Sequence, residues 1–184
     1  VGSYTKEEKM GNINIEVLNV IEKAIELEIN GRSFFEHAAE TTTNKLGKKM
    51  FQKLARDEVE HLNTFSHLFT SILEGEDWKS LVAKKEKGKS LIIEELKERV
   101  NKKGKEENAS DLEAIRIGME LERKAIDFFE SSAKSASDSK AKQIFEKISG
   151  EEKGHYDLLQ AQYDSVTNSG YWFDIAEFRM DGKY

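Results

Sequence analysis

The sequence predicts an all-α protein, a four-helix bundle of two helical hairpins joined by one long crossover. Three observations lead there. The 184 residues contain no proline and no cysteine, so no proline ring breaks a helix and no disulfide framework or thiolate site is possible. Four long segments place apolar or small residues at alternating steps of three and four, the period of a buried helix face. Finally, shifting the chain by 94 residues overlays 21–61 on 115–155 without a gap, so the second hairpin repeats the first.

The first helix is expected from Asn14 to Glu40, with Asn14 as its cap and Glu16 at the positive end of the dipole. The polar run Thr41-Thr42-Thr43-Asn44 ends it. The second helix is expected from Asn44 to Leu73, stopping near Gly75. A crossover follows, about residues 75–109, with a short helix of its own over Leu91–Val100. The third bundle helix starts at Ser110, where Ser110-Asp111-Leu112-Glu113 reads as a capping box, and runs to Lys134. The fourth runs from Asp138 to Val166, before Asn168-Ser169-Gly170. Short loops make each hairpin antiparallel. Residues 1–13 are read as an N-terminal extension, with Met10 a candidate initiator, and residues 14–166 as the bundle. In the tail, 167–184, Trp172, Phe173, Ile175 and Phe178 call for a surface to pack on, the bundle or a second subunit.

Charged residues make up 35% of the chain, against roughly 25% in typical domains, and the formal net charge is −6. No run of about 20 apolar residues is present to span a bilayer. The first residues lack an apolar signal-peptide core, so a cytoplasmic location is expected. Between Lys79 and Lys105 ten basic and four acidic side chains give a local +6, leaving −12 for the rest. A solvated surface accounts for that stretch better than a docking or nucleic-acid face, because no aromatic residues interleave the charges. No nucleic-acid or membrane partner is expected.

The buried seams carry the chemistry. They read Ile21, Ala24, Glu28, Gly31, Phe35, Ala38 in the first helix and Phe51, Leu54, Glu58, His61, Phe65, Leu68 in the second. The third gives Ile115, Gly118, Glu122, Ala125, Phe129, and the fourth Phe145, Ile148, Glu152, His155, Leu159. Each helix places one glutamate at mid-seam, and the second and fourth add a histidine three residues on. Buried carboxylates are costly unless paired or metal-bound, and four together repel. No lysine or arginine occupies a nearby seam position. Two dications would balance four glutamates and two neutral histidines. Residues i and i+3 share a helix face, so Glu58 with His61, and Glu152 with His155, can reach one metal each. This is the ligand pattern of di-iron carboxylate bundles as a class, one Glu from each of two helices and Glu-x-x-His from each of the others. It assigns Glu58 and Glu152 as bridges, Glu28 and Glu122 as terminal carboxylates, and His61 and His155 as terminal nitrogens. Iron, manganese and zinc all suit such donors. His37, His67, Glu26 and Glu120 lie off the seams. Asp57 and Glu151 directly precede the bridging glutamates, which places one of them to hydrogen-bond a ligand histidine across the bundle.

Residues 24–39, Asp57-Glu58-Val-Glu-His61, 122–129 and Glu151-Glu152-Lys-Gly-His155 together resemble the rubrerythrin family of the ferritin-like superfamily, over about residues 14–166. The resemblance implies a di-iron site that reacts with hydrogen peroxide or dioxygen while cycling between ferrous and ferric states. It also favours iron over manganese or zinc, and with the apolar tail it suggests a homodimer. Three departures modify it. Rubrerythrins proper carry a rubredoxin-like four-cysteine domain, and this chain has no cysteine, so a separate donor must supply electrons. They carry a further glutamate one turn after the third-helix ligand, where Ala125 stands here, so a more symmetric site without ligand exchange is expected. Tyrosines usual seven residues after the first- and third-helix ligands are Phe35 and Phe129. The alternatives are an iron-oxidising or storage protein without separate substrate turnover, and a structural bundle holding zinc or no metal.

Overall fold

A computed structural model describes residues 15–72, 78–87, 91–102, 109–176 and 178. Among these residues there are six helices and no strand: α1 (Ile15–Thr41), α2 (Lys45–Ile72), α3 (Trp78–Lys87), α4 (Leu91–Lys102), α5 (Ala109–Ser135) and α6 (Ser139–Ser169). The proposed cap Asn14 and the extension 1–13 lie outside the described residues.

Local chemistry sets the helix ends. Thr42 follows α1, and the Asn44 side chain accepts hydrogen bonds from the backbone N–H groups of Leu46 (2.9 Å) and Gly47 (3.1 Å), which opens α2. Asp138 caps α6 by accepting from the Ala141 N–H at 2.8 Å. Gly170, at φ 74°, closes α6 in the left-handed conformation that glycine adopts without strain. The crossover contains α3 in addition to the expected α4. α5 is described from Ala109, one residue from the expected Ser110, and Glu113 accepts two hydrogen bonds from the Arg99 guanidinium at 2.8 and 3.2 Å.

α1 packs on α2 and α5, and α6 packs on α5 and α2, so the four long helices form a square. α3 lies against α1 and α2, and α4 against α1 and α5. Every seam residue named above is buried. The apolar ones fall into two clusters. One gathers Phe35, Ala38, Phe51, Leu54, Ile115 and Leu159, and the other Ile21, Phe65, Leu68, Phe129, Phe145 and Ile148. The start of α1 therefore shares a cluster with the end of α5, so these neighbours run antiparallel. The repeat is visible as a pseudo-twofold. Phe35 stacks on Phe51 with centroids 6.4 Å apart, and its repeat, Phe129 on Phe145, does so at 6.2 Å. Such pairs add about 0.5–1.5 kcal/mol beyond the area they bury.

The tail packs on the bundle as far as it is described. Trp172 is buried over Gly47, where an added Cβ would lie 2.8 Å from its ring. Phe173 stacks on Phe178 at 6.2 Å, and Lys49 pairs with Asp174 at 2.6 Å.

Candidate metal centre

Between the two apolar clusters lies a single polar layer. Glu28 comes from α1, Glu58 and His61 from α2, Glu122 from α5, and Glu152 and His155 from α6, each at most 7% exposed. Gly31 makes room for this layer. A Cβ there would stand 3.0 Å from Cδ and Oε1 of Glu58, so the α2 carboxylate rests directly against the α1 backbone.

Potential ligand atoms form two overlapping sets, each within 4.8 Å. One is Glu28, Glu58, His61 and Glu152, and the other Glu58, Glu122, Glu152 and His155. Glu58 and Glu152 belong to both, which is the geometry required of bridges. Glu28 and Glu122 each belong to one set, and each has a buried Oε1 without a hydrogen-bond partner. A buried carboxylate oxygen left without a partner is costly. Two three-carboxylate, one-imidazole sets with such oxygens suit a pair of divalent ions, so the residues present fit a dinuclear centre.

The histidines are oriented from behind. His61 Nδ1 points inward and donates to Glu28 Oε2 at 3.0 Å, with Glu152 Oε1 at 3.3 Å and Glu58 Oε2 at 3.7 Å. Its Nε2 points outward and donates to Glu151 Oε2 at 3.0 Å. His155 Nδ1 donates to Glu152 Oε2 at 2.9 Å, and its Nε2 donates to Asp57 Oδ2 at 3.0 Å. Both Asp57 and Glu151, rather than one of them, thus hold a histidine across the bundle. Asp57 is paired in turn with Lys53, and Glu151 with Lys147 at 3.4 Å. Lys53 and Lys147 are themselves equivalent in the repeat. The imidazole rings stack with centroids 5.7 Å apart.

This layer decides its own protonation. Burial raises Glu28 well above the ordinary carboxylate range, and the charges of Glu58 and Glu152 raise it further. Burial and the Glu152 charge do the same to Glu122. Burial disfavours cationic His61, yet hydrogen bonds to Glu151, Glu152 and Glu28 outweigh it and hold the imidazole protonated. Burial likewise opposes a charged His155, and Glu122 and Asp57 outweigh it. Burial also opposes ionisation of Glu152, but both histidines hydrogen-bond it and keep it a carboxylate.

The off-seam residues stay away from the layer. His37 meets Asn101 at 3.3 Å, His67 is exposed, Glu26 pairs with Lys23, and Glu120 faces Arg99. One buried seam residue escaped the sequence reading. Gln162, fully buried in α6, has neither amide atom hydrogen-bonded. Its seam spacing after Leu159 was the available signal.

Square packing, a mid-bundle polar layer and paired Glu-x-x-His segments define a ferritin-like carboxylate bundle. The sequence model of the rubrerythrin family matches residues 19–163, most of the chain, and the protein belongs to that family. No curated protein and no solved structure matched the chain.

Proposed function

We propose that this protein is a non-haem di-iron oxidoreductase that reduces hydrogen peroxide or dioxygen with electrons from a separate donor. The observation that carries the proposal is the pair of buried ligand sets sharing Glu58 and Glu152. Zinc fits the same donors but stores no electrons, and family membership favours iron. When bound, two ferrous ions supply two electrons and a Lewis acid for the O–O bond. The balanced reaction is one peroxide, two electrons and two protons giving two waters.

The chain's own residues provide the setting. Glu58 and Glu152 hold the two ligand sets together. Asp57 and Glu151 fix each imidazole with Nδ1 facing inward. Phe35, Phe51, Phe129 and Phe145 close both ends of the layer with apolar walls.

Elemental analysis with an anaerobic peroxide titration tests this reading. About two irons per chain, rapid ferrous-to-ferric conversion by peroxide and re-reduction by an added donor are expected. Fewer than about one transition metal per chain after reconstitution overturns it. A large hollow assembly holding far more than about two irons per chain indicates storage instead.

A further inference from the structure

Among the described residues the polar layer has an opening on each of two faces of the bundle, and their walls differ in kind. Between α1 and α5 a cavity of about 110 Å³ reaches inward to the carboxylates of Glu58, Glu122 and Glu152. That volume is several times what one water needs, so a molecule the size of peroxide fits. On the opposite face a groove of about 420 Å³ runs between α2 and α6 under Ile175 and Phe178. Of the six candidate ligands it touches only His61 and His155. There both Nε2–H groups are already committed to Glu151 and Asp57, and the stacked rings stand between the groove and the carboxylates. The larger opening therefore ends on the backs of the imidazoles, and the smaller one ends on the ligand oxygens.

The wall of the smaller opening is built from small residues at equivalent places in the repeat. Gly31 follows Glu28 by three residues and Ala125 follows Glu122 by three. Both line the cavity, as do the equivalent leucines Leu27 and Leu121 nearer its rim. One turn further on the same seams carry Phe35 and Phe129, so both hairpins turn from small to bulky just past the layer.

We infer that the α1–α5 cavity is the route by which a small ligand of peroxide size reaches the dinuclear centre, and that Gly31 and Ala125 set the size limit of what enters. The inference rests on the dinuclear reading above and adds the direction of approach and the residues that gate it. Substitutions at Ala125 or at the rim act on ligand entry without removing a metal ligand. Substitutions in the opposite groove leave entry alone.

Azide serves as the probe, mixed rapidly with the ferric-loaded full chain and followed in time by its absorption band, with iron content measured on the same samples. Ala125→Leu fills the cavity from α5, and Leu27→Trp narrows it from α1 outside the seam, so the second variant decides if the first loses iron. Both are expected to slow azide association at least about tenfold at unchanged iron content. Thr64→Trp, in the opposite groove, is expected to stay within about twofold of the parent. An unchanged azide association rate in Leu27→Trp and Ala125→Leu at full iron content overturns the inference while leaving the dinuclear reading intact, and so does slowing by Thr64→Trp alone. A parent protein that takes up no iron overturns both.

Discussion

At the scale of the residue, the polar layer shows how six titratable side chains share a dry core. Glu58→Ala or Glu152→Ala is expected to abolish metal retention while the chain stays helical, because the helices are held by apolar clusters on both sides of the layer. Elemental analysis beside circular dichroism checks both halves, and full retention in both variants would show the bridge assignment to be wrong. Glu28→Gln separates metal affinity from stability. Burial raises the Glu28 pKa in the folded state, so the fold binds this proton more tightly than the unfolded chain does. Stability is then lost as pH rises above the ordinary carboxylate value. The neutral amide avoids that loss. In metal-free protein Glu28→Gln should be more stable at pH 7, by on the order of 1 kcal/mol, with the gain fading towards pH 4. Denaturant melts at the two pH values read the difference, and a gain that grew towards low pH would contradict it.

At the scale of the element, the helices rest on aromatic packing more than on caps. Phe129 stacks on Phe65 at 5.4 Å and on Phe145 at 6.2 Å, and meets Phe128 edge-on. Phe129→Ala should cost about 3–5 kcal/mol in a denaturant melt. A loss below about 1 kcal/mol would mean that the cluster collapses into the gap. The long helices were legible in the sequence because their seams repeat over many turns, and the six-residue constellation was legible because charge is expensive at a seam. The helix α3 was not. It is only ten residues long and rich in lysine, and it depends on contacts distant in sequence. Arg32 of α1 reaches its Glu86 at 2.8 Å, its Lys85 reaches Glu22 at 3.5 Å, and Val82 packs on the second apolar cluster. Tertiary contact of this kind overrides weak local propensity. At the start of α5, Glu113 is held by Arg99 from α4, a contact that no local sequence pattern announces. That both Asp57 and Glu151 would reach histidines required the pseudo-twofold itself. A position one residue before a ligand fixes no direction until the opposing helix is in place.

At the scale of the whole molecule, duplication makes the two hairpins supply matching halves of one centre, and the protonation of that centre follows the whole chain. The metal-free layer favours the protonated forms of Glu28, Glu122, His61 and His155. Metal ligation requires all four to be given up. Loading two divalent ions should therefore release about four protons per chain, measurable as acidification of weakly buffered solution or by calorimetry in buffers of different ionisation enthalpy. Release of fewer than about two would mean that the layer is not protonated in this way. Metal affinity should accordingly fall steeply as pH drops. The exchange also has an electrical meaning. Four retained protons bring the formal charge of −6 to −2, and two bound dications with those protons gone bring it to the same −2. With all four protons retained, the empty and loaded forms carry the same formal charge. They should co-migrate in native electrophoresis and co-elute from an anion exchanger, so a partner attracted by the field of the molecule meets the same field whether or not the centre is filled.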